Sequence, residues 1–185
     1  LDQSIAPGLL LSMPHLHDPH FTRAVVLMIE HSDEGSFGLI INQPSNQLTV
    51  LELLEQLEIT WRGDTGAPVW TGGPVMPQTG WVLHEPRVGA DKTDTVEVAR
   101  GIELSTSQER LREIAAAPPS RLRFLLGYAG WGPGQLAEEM QQGSWLHADA
   151  EPRLVFDTAA DEMWATALQS IGVDPASVAV GTGVH

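Results

Sequence analysis

Apolar residues run almost unbroken from residue 24 to residue 30 (AVVLMIE), a β-branched stretch that predicts a buried strand. The polar cluster His31-Ser32-Asp33-Glu34-Gly35 predicts a turn, and residues 37–41 predict a second strand, so the two form an expected hairpin. Asn42-Gln43-Pro44-Ser45-Asn46 then breaks the chain. Thr49 and Glu52 have capping-box spacing, and Leu51, Leu54 and Leu57 recur at near-helical intervals, which predicts a short amphipathic helix. Short strands are expected at 69–71 and 82–84, on either side of a Gly72-Gly73-Pro74 corner, and a weakly alternating segment at 96–104 is interrupted by Gly101.

A second helix is expected to start near Ser105 or Ser107 and to stop before Pro118-Pro119. Residues 122–128 predict a strong strand that runs into a glycine-rich loop, Gly130-Trp131-Gly132-Pro133-Gly134. A helix follows, with Pro133 near its first turn and Gly143 near its end. Residues 154–156 predict a strand, and residues 161–171 a last helix closed by Gly172. Strands and helices mix without a regular βαβ period, and the first two strands read as antiparallel. The expected class is α+β, in a single compact domain spanning residues 1–185.

Charge changes the picture more than composition does. A formal net charge of −14 disfavours a nucleic-acid partner, because phosphate neutralisation supplies most of that affinity. Half of the basic residues (Arg100, Arg110, Arg112, Arg121, Arg123) lie in one stretch, but Glu103, Glu109 and Glu113 are interleaved with them, as on a solvated salt-bridged face. The chain has no cysteine, which excludes disulfides, thiol nucleophiles and thiolate metal sites and fits a cytoplasmic protein. No basic stretch and apolar core open the sequence, so no secretory signal is expected, and Leu1 in place of methionine reads as a trimmed start. No apolar run reaches the ~18 residues of a membrane span.

Four segments carry a family pattern. They are Pro7-Gly8-Leu9-Leu10-Leu11-Ser12-Met13-Pro14 with Asp18-Pro19-x-Phe21-x-Arg23-Ala24-Val25-Val26; Gly38-Leu39-Ile40-Ile41-Asn42-x-Pro44; Gly72-Gly73-Pro74-Val75; and Gly127-Tyr128-Ala129-Gly130-Trp131-x-x-Gly134-Gln135-Leu136, with Ser144-Trp145-Leu146 downstream. In order and spacing these resemble the bacterial AlgH/YqgE family over about residues 7–172. The resemblance implies a central mixed, mostly antiparallel sheet, bent or barrel-like, with flanking helices. It implies no known activity; the family sometimes carries the label of transcriptional regulator without a recognisable DNA-binding motif.

Candidate chemistry lies in three places, and each has a structural explanation to set beside it. Gly130, Gly132 and Gly134, with Gln135, form a loop ahead of a helix, where backbone N–H groups favour a small anion. Gly127-x-x-x-x-Gly132 has the spacing of a phosphate loop, but Pro133 stands where the lysine belongs. Alternatively the glycines let Tyr128, Trp131 and Trp145 pack over a tight turn while Gln135 satisfies backbone groups. His15, His17, Asp18 and His20 are a weak candidate metal cluster, with Asp18 equally suited to capping the backbone beside Pro19. Glu30, His31, Asn42 and His84 sit at strand ends and offer acid–base pairs. In the expected hairpin, however, Asn42 leaves from the end opposite Glu30 and His31. Arg23 is expected to form a local ion pair with Asp18.

No serine-nucleophile elbow, zinc-protease helix or Ser-x-x-Lys occurs. Sequence favours a cytoplasmic protein that works by binding a protein or small-molecule partner, with no cofactor and with Tyr128, Gly130, Trp131, Gly132, Gly134, Gln135, Trp145, Asn42 and His31 on its binding surface. The alternatives are an enzyme or sensor for a small anion at the Gly130-to-Gly134 loop, and a transcriptional regulator.

Overall fold

The computed structural model describes residues 5–180. Ten strands share one curled, half-barrel sheet: β1 Gly8–Ser12, β2 Val25–Ser32, β3 Gly35–Ile40, β4 Pro44–Thr49, β5 Pro68–Thr71, β6 Val75–His84, β7 Thr95–Ala99, β8 Ile102–Ser105, β9 Leu122–Trp131 and β10 Trp145–Ala148. The main path is β10-β1-β2-β3-β9-β6-β8-β7, all antiparallel, and β5 adds to β9 in parallel while pairing β4 on its other side. Among the described residues six α-helices accompany the sheet: α1 Val50–Gln56, α2 Gln108–Ala116, α3 Gln135–Gln141, α4 Pro152–Asp157, α5 Ala160–Ser170 and α6 Pro175–Val180.

Strand alternation sorts the side chains into two layers. Leu9, Leu11, Val25, Leu27, Leu39 and Leu125 point to one face of the sheet, where α4 and α5 cover them with Leu154, Val155, Phe156, Met163, Ala167 and Leu168. Leu10, Val26, Met28 and Ile40 point to the other face, where Leu136 of α3, Trp131 and Trp145 meet them. Farther along that sheet, α1 and α2 cover Val69, Val82 and Phe124 with Val50, Leu54, Ile114 and Ala115.

Local chemistry explains several of the element ends. Thr49 and Glu52 form the expected reciprocal capping box on α1, and Ser107 caps α2 by accepting from Arg110 N–H. Gly101 takes φ +81° in the turn joining β7 to β8, and Gly172 takes φ +78° after α5.

Several expectations need correction. Residues 154–156 are not a strand but the middle of α4; Pro152 in its first turn pre-sets the helical φ, and a three-residue apolar run carries no periodicity to reveal it. The presumed turn from His31 to Gly35 is mostly strand, because β2 continues to Ser32. The break at Asn42 to Asn46 holds the start of β4. β6 is ten residues long rather than three. The flanking strands β1 and β10 and helix α6 had no sequence expectation at all.

Candidate functional site

The glycine-rich segment is not a loop over its whole length. β9 runs through Gly127, Tyr128, Ala129, Gly130 and Trp131, leaving Gly132-Pro133-Gly134 as the turn before α3. Gln135 Oε1 accepts from Gly132 N–H at 3.0 Å, so that amide is already satisfied. Trp131 and Trp145 are buried, stack edge-on at a centroid distance of 5.6 Å, and both contact Phe21. They are core residues rather than an exposed aromatic surface. Burial pushes up the pKa of the Glu139 carboxyl beside these two indoles.

Tyr128 differs because residues 128 and 131 leave opposite faces of the strand. It sits with Phe37 and Trp81 in a cluster of three rings, at centroid distances of 5.8 Å to Phe37 and 6.3 Å to Trp81. Together with Val75 and Met76 these rings line an open groove of 710 Å³. Met76, at 61% exposure, and Val75 are among the most exposed large apolar side chains of the domain. A bulge in β2 between Met28 and Glu30 brings Glu30 opposite Phe37, and Phe37 in turn faces Gly130. The bulge thus places a carboxylate at the groove, and Gly130 leaves room there. Among the described residues Glu30 and Glu34 are the only charged ones lining the groove, and neither makes an ion pair there.

The histidine-rich segment forms two short 3₁₀ turns, at Pro14–Leu16 and Pro19–Phe21. Asp18 accepts from His20 N–H at 2.9 Å and meets the His20 ring at 3.1 Å, the capping arrangement its place before Pro19 predicts. Among the described residues no three histidine or carboxylate side chains come together as a metal-binding group.

The strand-end polar residues are dispersed. His31 Nδ1 meets Ser36 Oγ at 2.6 Å near the groove. Asn42, at the opposite end of the hairpin, donates through Nδ2 to Arg23 O (2.9 Å), and its Oδ1 accepts from Val25 N–H (3.0 Å). His84 is buried between Glu85 O at Nδ1 and Ser105 Oγ at Nε2, both at 2.7 Å, and burial depresses its pKa. With a carbonyl at Nδ1, that nitrogen carries the proton, so Nε2 accepts from the Ser105 hydroxyl. Ser105 is itself fully buried, and the pair reads as a satisfied core network rather than a nucleophile and base.

The expected Arg23–Asp18 ion pair does not form. Arg23 instead lies over the Trp164 ring, 5.4 Å from its centroid, while Asp18 is engaged by His20. Sequence reasoning also missed Phe37, Trp81, Val75, Met76 and Glu34. The available signal was Val75-Met76 following the Gly72-Gly73-Pro74 corner, an apolar pair with no periodic partner.

Comparison with known proteins bears on the family and the fold. The family described as AlgH-like (DUF179) matches residues 9–176. A UPF0301 protein of Myxococcus xanthus (strain DK1622) is 44% identical over 185 residues, covering 99% of both chains. Another, from Jannaschia sp. (strain CCS1), is 41% identical over 177 residues, covering 95% of this chain and 92% of its own. The solution structure of the AlgH protein from Pseudomonas aeruginosa superposes with a TM-score of 0.77 at 34% identity, covering all of this chain and 97% of that one. A crystal structure of a Corynebacterium diphtheriae protein, 22% identical with a TM-score of 0.74 over 97% of this chain and 92% of its own, shares the fold. Among the described residues no helix is long and apolar enough to cross a membrane. On the sequence match, the full-length relatives and the shared half-barrel together, the chain belongs to the AlgH-like family.

Proposed function

We propose that the protein acts by binding, and that the groove on Phe37, Trp81 and Tyr128 takes an apolar segment of a partner protein bearing lysine or arginine. The observation that carries this is the groove's lining: three clustered rings, two exposed aliphatic side chains, and no charge except the carboxylates of Glu30 and Glu34. Aromatic and methionine side chains are favoured at interface centres. A cation meets the ring faces and the acidic rim favourably, and the overall charge of −14 speeds the approach of a basic partner. The same carboxylates disfavour an anion here. The turn at Gly132 is a poor alternative anion site, because its amide is taken by Gln135 and α3 is only seven residues long.

A fluorescently labelled peptide alternating leucine or phenylalanine with lysine tests this, beside the same peptide with glutamate for lysine. Binding of the lysine peptide is expected to be saturable, and lost in Gly130→Leu, which fills the groove at a position without backbone strain. Glu30→Lys with Glu34→Lys should reverse the preference between peptides. Equal binding of both peptides, or binding that survives Gly130→Leu, refutes the proposal.

A further inference from the structure

Away from the groove, the segment between β1 and β2 carries an unexplained strain. Arg23 adopts φ +49°, and His17, at the end of the segment's first 3₁₀ turn, adopts φ +53°. A bulky non-glycine side chain in this left-handed region is an outlier, and such conformations persist only where surrounding structure holds them. Here the holding is explicit. The Asn42 amide grips the Arg23 carbonyl and the Val25 amide, Ser12 Oγ accepts from Ala24 N–H at 2.8 Å, and Gln43 Nε2 donates to His20 O at 2.9 Å.

What this strain positions is a guanidinium. It lies over the ring of Trp164, itself buried and locked by an indole N–H bond to Ser12 O at 2.9 Å. A cation over an indole face is attracted without using its N–H donors, and among the described residues the guanidinium makes no hydrogen bond. No carboxylate among the described residues forms an ion pair with it. Arg23, Thr22 and Trp164 line two cavities at once, of 340 and 470 Å³. Arg23 is the only lysine or arginine in either lining. Asp18 lines the first and Asp161 the second, so the surroundings do not attract anions in general, and a bound anion must take the fork directly.

We infer that Arg23 is the anchor of a binding site for a small oxyanion, a carboxylate or a phosphate, which would accept paired hydrogen bonds from the guanidinium edge, with Thr22 in the same lining. Asn42 is a positioning residue for this site. The family motifs Asp18-Pro19-x-Phe21-x-Arg23 and Asn42-x-Pro44, which the groove does not use, converge here. The site is independent of the partner groove.

The full chain, titrated by NMR with inorganic phosphate and with citrate against chloride at constant ionic strength, tests it. A saturable shift of the Trp164 indole N–H resonance is expected with one or both, and the stronger of the two identifies the anion class. Arg23→Gly is the informative variant, because glycine adopts the left-handed conformation without strain. It should fold with a melting midpoint no lower than the parent's and lose the titration by tenfold or more. Arg23→Lys, which keeps the charge without the planar fork, should retain part of it. No saturable shift, a shift unchanged in Arg23→Gly, or an Arg23→Gly variant that fails to fold would each overturn the inference, the last by making the arginine structural.

Discussion

Replacing Gly127 by alanine puts a methyl group where β9 passes the Gly72-Gly73 corner. Gly127 has φ +79°, a conformation that costs an alanine roughly 1–2 kcal/mol. The new Cβ would stand 2.3 Å from the Gly73 carbonyl oxygen and 3.2 Å from that of Val75. Neither oxygen can swing aside as a side chain would. Gly72 N–H is bonded to Leu126 O at 2.7 Å, and a Cβ on Gly73 would itself lie 2.1 Å from the Tyr128 carbonyl carbon. The two backbones are thus in reciprocal contact, and relieving the overlap costs a further ~1–3 kcal/mol. Together the loss is about 2–5 kcal/mol. For a domain of this size that lowers Tm by about 4–20 °C. Gly132→Ala supplies the contrast, since its added methyl would meet only the flexible end of Gln135 at 3.9 Å. Its change should stay within about 0.5 kcal/mol. Paired urea and thermal melts of the two variants read the difference. If Gly127→Ala melts with Gly132→Ala, the close approach is not what requires glycine there.

Trp131→Ala should destabilise the domain by about 3–5 kcal/mol, as for a buried tryptophan. A urea midpoint within error of the parent's would mean that the ring is not core. His84 supplies a pH dependence whose sign follows from its depressed folded-state pKa. The unfolded chain takes up the proton first, so the stability held above about pH 6.5 falls as pH drops from there toward the folded pKa. Urea midpoints measured between pH 7.5 and 5 should decline in the parent and less steeply in His84→Gln; parallel profiles would assign the decline to other groups.

Sequence by itself determined the α+β class, the first hairpin, the capped helix at Thr49 and the family pattern, because each is written in neighbouring residues: alternation along a strand, a cap three residues from its partner, glycines at turns. The role of Gln135 at the turn was legible for the same reason. Only the tertiary structure decided the rest. β1 and β10 are strands because they pair with each other and β1 with β2, through contacts remote in sequence. Tyr128 and Trp131 belong to one motif, yet the Tyr128 ring joins Phe37 and Trp81 at the groove while the Trp131 ring is buried against Phe21 and Trp145, since the two faces of β9 meet different neighbours. The groove itself needs a bulge in β2, a ring from β3, another from β6 and a third from β9, brought together by strand order alone. Arg23 reads from its neighbours as a partner for Asp18. Asn42, nineteen residues away, holds its backbone, and Trp164, on a helix near the other end of the chain, receives its side chain.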